Sequence, residues 1–223
     1  MSAIVIAGAV PPDVVARIRA HMQRGPLVSG KTTAVGRAKD IKENLILAPD
    51  SKGAAEAVEL LIGALKGNQA FQAAAWPEAM LRPLFCRYAV GGKYGDHVDG
   101  AMMGDAAEQV RCDVAMTVCL SDAAEYEGGA LVIDAAGAPT SWRGKAGDVI
   151  LYPASTLHRV TEVTSGARDV AISWIQSMVR DGARRRILFD LKSALDAFDA
   201  QPTPPAEAEA IRRSYFNLIR MWA

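Results

Sequence analysis

Histidine and cysteine are scarce in this chain, at three each in 223 residues, and net charge is absent: 25 Lys and Arg balance 25 Asp and Glu. Each shortage excludes something. Three cysteines, Cys86, Cys112 and Cys119, are odd in number and match no zinc spacing, so free thiols in a reducing cytoplasm are expected. Charge neutrality leaves no general attraction for nucleic acid or an anionic membrane. No apolar run approaches the roughly 18 residues that a membrane-spanning helix needs. The opening "MSAIVIAGAV" lacks a basic n-region and reads as a first strand rather than a signal peptide.

Half of the residues are apolar, enough for one generous domain with a substantial core. In "PPDVVARIRAHMQR", Val14, Val15, Ile18 and Met22 recur at helical spacing behind Pro12 and Asp13, a suitable helix start. Residues 53–66 repeat that period with Ala54, Val58, Leu61, Ile62 and Leu65. From residue 80 the pattern changes to short Val-, Ile-, Leu-, Thr- and Tyr-rich runs punctuated by Gly, Pro and Asp, among them "PLFCRYAV", "VRCDVAMTVCLS", "DVILYP" and "RDVAISWIQS". Such runs predict an antiparallel sandwich or barrel. Residues 181–199 return to helix, "QPTPP" breaks the chain, and a last helix carries Ile211, Tyr215, Leu218, Ile219 and Trp222. The fold class expected is α+β: an N-terminal segment over residues 1–79, a β core over 80–178 and a helical segment over 179–223. The helical stripes read as packing surfaces, with a homodimer contact as their other use.

The stretch "GPLVSGKT", residues 25–32, satisfies the phosphate-binding pattern G-x-x-x-x-G-K-[ST] letter for letter. A phosphate loop needs a buried strand before it and a helix after it. Here a charged helical tail precedes Gly25 and "TAVGRAKD" follows, so the match is read as a coincidence.

His97 and Asp99 lie in "GDHVDG", and His158 in "STLHRV". In extended chain, residues i and i+2 project from one face, so His97 and Asp99 can reach one ion. A third ligand from another strand would complete two histidines and one carboxylate, the facial triad typical of non-haem Fe(II) oxygenases. Arg168 follows His158 by ten positions. If Thr164-Ser165-Gly166 is a three-residue hairpin loop, Val163 pairs with Ala167 and His158 lies opposite Ile172. Arg168 then shares the face of His158 about 13 Å away, a gap that a five-carbon dicarboxylate and an arginine side chain would fill. A guanidinium grips a carboxylate bidentately, which a lysine does not.

At these residues the chain resembles the Fe(II)/2-oxoglutarate-dependent dioxygenases, specifically the bacterial PKHD-type hydroxylases related to prolyl 4-hydroxylases. Tyr88, Gly91, His97 and Asp99 meet the prolyl hydroxylase pattern Y-x-x-G-x5-H-x-D, and "AGDVILYPASTLHRVTEVTSGAR" is similar to a later block of that subfamily. The stretch "KENL" from Lys42 departs from its Asn/Gln-rich block. The resemblance implies a double-stranded β-helix (jelly-roll) core. It implies His97, Asp99 and His158 as iron ligands, Arg168 as the 2-oxoglutarate anchor and Tyr88 as a hydrogen-bond partner of that cosubstrate. It further implies O2 and a small-molecule or peptide substrate, with L-ascorbate as reductant. A cupin-like metalloenzyme of another reaction class and a non-catalytic iron or 2-oxoglutarate sensor are the alternatives. Gly95, Gly100 and Gly104, with Met102 and Met103, suggest a loop lining an entrance.

Overall fold

The computed structural model describes residues 3–34, 36–104, 109–135, 137–203 and 205–223. Met1 and Ser2 of the expected first strand, and Pro204 of "QPTPP", lie outside the described residues. The first third forms β1 (Ile4–Ile6), α1 (Pro12–Arg24), β2 (Leu27–Ser29), β3 (Lys42–Glu43), β4 (Leu45–Leu47), α2 (Lys52–Gly67), α3 (Gln69–Ala75) and β5 (Pro77–Met80). Strands then follow in close succession: β6 (Leu84–Tyr88), β7 (Lys93–His97), β8 (Met102–Met103), β9 (Val110–Arg111), β10 (Val114–Cys119) and β11 (Tyr126–Gly128). They continue as β12 (Leu131–Ala135), β13 (Ala138–Trp142), β14 (Val149–Pro153), β15 (Leu157–Val160), β16 (Val163–Gly166) and β17 (Arg168–Ser177). Helices α4 (Gly182–Asp199) and α5 (Ala208–Trp222) complete the chain.

Local chemistry sets the helix boundaries. Pro12 opens α1, and its buried stripe is Val15, Ile18 and Met22. The Ser51 hydroxyl accepts from Ala54 N–H to cap α2, and the Asp181 carboxylate accepts from Arg184 N–H to cap α4. Helix α3 and strand β5 were not anticipated in the sequence. Asn68 ends α2 and at the same time caps α3, its side chain accepting from Phe71 N–H. Trp76 then turns the chain into β5 in the left-handed region, at φ 47°.

All the sheet pairings are antiparallel. An eight-stranded sheet runs β1-β14-β10-β17-β6-β4-β2, with β5 also pairing β17, and a five-stranded sheet runs β13-β12-β15-β7-β3. The two sheets face each other as a double-stranded β-helix, and the N-terminal segment contributes β1 and β2 with β4 to the larger sheet and β3 to the smaller. Alternation along the strands splits the core into two layers. Phe85, Met116, Val118, Leu151 and Ala171 point outward under Ile18, Met22, Leu61 and Leu65 of α1 and α2. Tyr88, Ala115, Ile150, Tyr152 and Val170 point inward against Leu131, Ile133 and Val160 of the smaller sheet. A third cluster joins Val179, Leu188, Leu195 and Tyr215 between α4 and α5. Each fully buried side chain of this size contributes about 1.5–3 kcal/mol.

The letter-perfect phosphate motif has neither of its structural supports. Helix α1 runs directly into Gly25, and Lys31 sits in a one-turn 3-10 helix where it pairs with Glu43. Among the described residues, no helix is long and apolar enough to cross a membrane.

Candidate active site

Strands β7 and β15 are neighbours in the smaller sheet, and their register sets His97 directly opposite His158. Asp99 lies two residues beyond His97, just past the end of β7. Each imidazole is tied to a carbonyl two residues upstream, Nδ1 of His97 to Gly95 O at 2.7 Å and Nδ1 of His158 to Thr156 O at 2.9 Å. A carbonyl oxygen only accepts, so each Nδ1 donates, and each ring is left to offer its Nε2 to the cavity. The two Nε2 atoms meet at Asp99: His97 Nε2 lies 4.0 Å from Oδ1 and His158 Nε2 lies 3.8 Å from Oδ2. One donor atom from each of the three residues falls within 4.8 Å of the others.

This donor set fits a divalent ion. Two atoms each about 2.1 Å from one centre lie about 3.0 Å apart at a right angle and at most about 4.2 Å apart, so both histidine–aspartate separations fall inside the outer limit and a facial arrangement would draw them closer by about 1 Å. Asp99 Oδ2 is buried and has no hydrogen-bond partner among the described residues, an arrangement that is costly unless something cationic satisfies it. Electrostatics agree. Burial, reinforced by His158, pushes the His97 pKa down to about 4, so its ring stays neutral. Burial raises the Asp99 pKa against the opposing pull of His158, a hydrogen bond from Trp174 and the charge of Lys42. A bound dication would reverse that penalty and favour the carboxylate.

Aromatic rings fix the imidazoles laterally. The Tyr94 ring stacks on His97 at 3.7 Å between centroids, and Tyr152 meets His158 edge-on at 5.1 Å. Burial drives the Tyr152 phenol well above its ordinary pKa, so it stays protonated.

Arg168 and Tyr88 reach the same cavity from the opposite wall. They are paired residues on β17 and β6 of the larger sheet. Arg168 is 2% exposed, its guanidinium stands 5.3 Å over the Tyr88 ring, and it forms no ion pair with any described residue. The next residue, Asp169, points the other way and is engaged bidentately by Arg87. Arg168 is thus a buried cation with its fork unspent. Tyr88 is also buried, and its phenol is pushed far up in pKa. The cavity between the walls measures about 300 Å³ and is lined by His97, Asp99, His158, Tyr88 and Arg168 together with Leu131, Ile172 and Trp174.

The hairpin expected at Thr164-Ser165-Gly166 does not form, which corrects the route by which Arg168 was related to His158. β16 pairs with β11, Tyr126 opposite Gly166, and β17 lies in the other sheet between β10 and β6. Gly166 is left-handed as expected, at φ +71°, but a Cβ there would stand 2.1 Å from Glu125 O. The turn is therefore pressed against the 125–126 backbone and carries the chain across the sandwich. Arg168 and His158 face each other across the cavity instead of lying along one ribbon, and the 13 Å spacing along a strand does not apply.

Several lining residues were not anticipated. Trp174 shares the inward face of β17 with Arg168 and Ile172, a parity readable once the strand is recognised. Tyr94 lies three residues before His97 and had no distinguishing signal. Lys42, Thr33, Ala34 and Ala38 arrive from the N-terminal segment, brought there by the pairing of Lys42 with Tyr94. Of the glycine-rich loop, Gly100 and Met103 line the cavity, and Met102–Met103 forms a short ribbon with β9.

Comparisons with known proteins agree with this geometry. Residues 83–176 match the model of the 2OG-Fe(II) oxygenase superfamily. A PKHD-type hydroxylase of Synechococcus elongatus is 39% identical over 207 residues, 93% of this chain and 93% of that one. Another, from Caulobacter sp. strain K31, is 40% identical over 214 residues, covering 95% of this chain and 94% of the relative. Among solved structures, a Pseudomonas putida prolyl-4-hydroxylase superposes with a TM-score of 0.56 at 18% identity over 78% of this chain and 92% of its own, a likeness of fold. The sequence identity, sustained over nearly the whole length, places this chain in the PKHD-type hydroxylases of the 2-oxoglutarate- and Fe(II)-dependent oxygenase superfamily.

Proposed function

We propose that His97, Asp99 and His158 hold Fe(II) in this hydroxylase, and that Arg168 and Tyr88 hold 2-oxoglutarate. One observation carries this reading. Donor atoms of two imidazoles and a carboxylate gather on one wall of a cavity, and among the described residues one carboxylate oxygen there has no partner and the guanidinium on the other wall has no ion pair. Bound there, iron and 2-oxoglutarate supply the oxidising chemistry, in which O2 is consumed, succinate and CO2 leave, and one oxygen atom enters an unactivated C–H bond of the substrate.

The chain's own residues bind, orient and exclude water. The Arg168 fork takes the far carboxylate of 2-oxoglutarate through two parallel hydrogen bonds. Tyr88, kept protonated by burial, donates its hydroxyl to the cosubstrate. The Asp99 carboxylate cancels one of the two metal charges, and the Trp174 indole N–H fixes that carboxylate. Leu131, Val160 and Ile172 keep the cavity apolar around these groups. We further assign L-ascorbate as the reductant that restores ferrous iron and the cytoplasm as the compartment. Three buried, unpaired cysteines suit a reducing environment.

Anaerobic titration of the metal-free protein with Fe(II) and then 2-oxoglutarate tests the reading. A visible charge-transfer band that needs both components is expected, and Asp99→Ala should not give it. A wild-type protein that binds iron but shows no 2-oxoglutarate-dependent band would remove the cosubstrate role.

A further inference from the structure

Among the described residues lining the cavity, two besides the histidines are basic, and Arg168 is one of them. The other is Lys42 on β3, in the sheet that carries His97 and opposite the sheet that carries Arg168. Lys42 is 4% exposed. Its Nζ donates to Thr33 Oγ1 at 3.0 Å and stands 5.1 Å from the centre of the Tyr94 ring. The Thr33 hydroxyl in turn donates to Gly30 O at 2.9 Å, so its oxygen is held in place to receive the ammonium. An ammonium has three donors. One is used, and among the described residues no carboxylate lies within ion-pair distance of Lys42.

A buried charge without a counter-ion is costly, and burial is the main influence depressing the Lys42 pKa, with Cys86 and Asp99 only partly offsetting it. A lysine that merely filled space would be replaced at no loss by an apolar side chain. Lys42 instead stands where the partly exposed residues 30–34 and 36–39 meet the cavity, beside Thr33, Ala34 and Ala38. Arg168 already serves the far carboxylate of 2-oxoglutarate from the other wall. Among the described residues no group neutralises Lys42, which leaves its two unused donors facing the cavity for a bound anion.

We propose that Lys42 is the specificity residue for the primary substrate, and that this substrate carries a carboxylate, which the Lys42 ammonium binds while the C–H bond to be hydroxylated faces His97, Asp99 and His158. Thr33 is a positioning residue that aims the ammonium. The proposal rests on the assignment of Arg168 and the three ligands to 2-oxoglutarate and metal.

The test uses full-length protein loaded with Ni(II), a redox-inert stand-in for iron, and saturating 2-oxoglutarate. Calorimetric titrations then compare propionate, hexanoate and benzoate, each with its carboxamide. Wild type is expected to bind at least one acid about tenfold or more tightly than its amide. Lys42→Met should bring that ratio to within about twofold while 2-oxoglutarate affinity holds within about twofold, and Lys42→Arg should keep the preference. Equal affinity for every acid–amide pair, or no binding of any acid by wild type, overturns the proposal, and this comparison needs no variant to fold. A Lys42→Met protein that loses 2-oxoglutarate affinity tenfold also overturns it, by giving Lys42 to the cosubstrate. Failure of wild type to bind Ni(II) and 2-oxoglutarate before any acid is added would instead defeat the underlying site assignment.

Discussion

The eight-stranded sheet holds Arg168 on a long strand, β17, paired from Val170 to Ile175 with β10 on one side and on the other with β6 and then β5, its register slipping only at the far end, between Gln176 and Ser177. The five-stranded sheet, by contrast, presents its histidines where pairing is interrupted. The register of β15 on β7 slips between His158 and Val160, β3 supplies two residues, and Asp99 lies beyond the end of its strand. Outward, the larger sheet is covered by α1 and α2, whereas the outermost strand of the smaller sheet, β13, is exposed along four of its five residues. The two walls thus divide the work: one is a stiff backing that fixes a single long cation, the other a looser frame that gathers side chains from strand ends. Bulges and strand ends re-aim side chains in a way that regular pairing cannot.

The comparison can be broken at four points. The largest effect is expected on the looser wall, where Asp99→Ala removes the one carboxylate of the donor set. Iron retention and succinate release should both fall by more than about 100-fold, beyond the 10–100-fold typical of a lost supporting contact; an active variant would show that the ligand set is wrong. Next comes the backing itself. Phe85, 1% exposed beneath the helices, should cost about 3–5 kcal/mol as Phe85→Ala. Thr140→Ala on exposed β13 should stay within about 0.5 kcal/mol. Denaturant unfolding of the two variants measures the contrast directly, and similar losses would refute the division between walls.

A smaller effect should follow from Arg168→Lys, which keeps the charge and loses the fork. Losing one charge-assisted hydrogen bond is worth about 1.5–3 kcal/mol, or roughly 10–100-fold in 2-oxoglutarate affinity. Iron binding should be untouched, and equal 2-oxoglutarate affinity would count against the anchor role. The smallest effect belongs to Lys31→Ala. Its contact with Glu43 is exposed, so stability should shift by less than about 1 kcal/mol and turnover should not change. A dependence of activity on Lys31 would reopen the nucleotide reading of "GPLVSGKT".

Local information explains which parts of the site could be read from the sequence. His97 and Asp99 were visible because i, i+2 spacing means one face in any extended chain, and the strand-rich pattern from residue 80 was visible because period-two alternation is local. Arg168 was singled out by the family resemblance and by a hairpin that does not form. Gly166 does adopt the left-handed turn, yet which strand lies beside β17 is decided by β6 and β10, residues distant in sequence. Lys42 was unreadable for the same reason. Its place in the cavity depends on pairing with Tyr94, 52 positions away, and nothing around it announces that pairing. Helix α3 escaped because its seven residues, "QAFQAAA", offer one large apolar side chain and so no period to read.

The paired Nδ1–carbonyl bonds have a consequence for which element the protein carries when isolated. Since Gly95 and Thr156 settle the ring orientations in advance, any first-row dication held as proposed by His97, Asp99 and His158 meets the same donor set. Intrinsic ranking then takes over, and nickel, copper and zinc all outrank ferrous ion at nitrogen and oxygen donors. Protein purified without control of trace metals should come out filled with the wrong one, silent until it is stripped and reloaded in the absence of air.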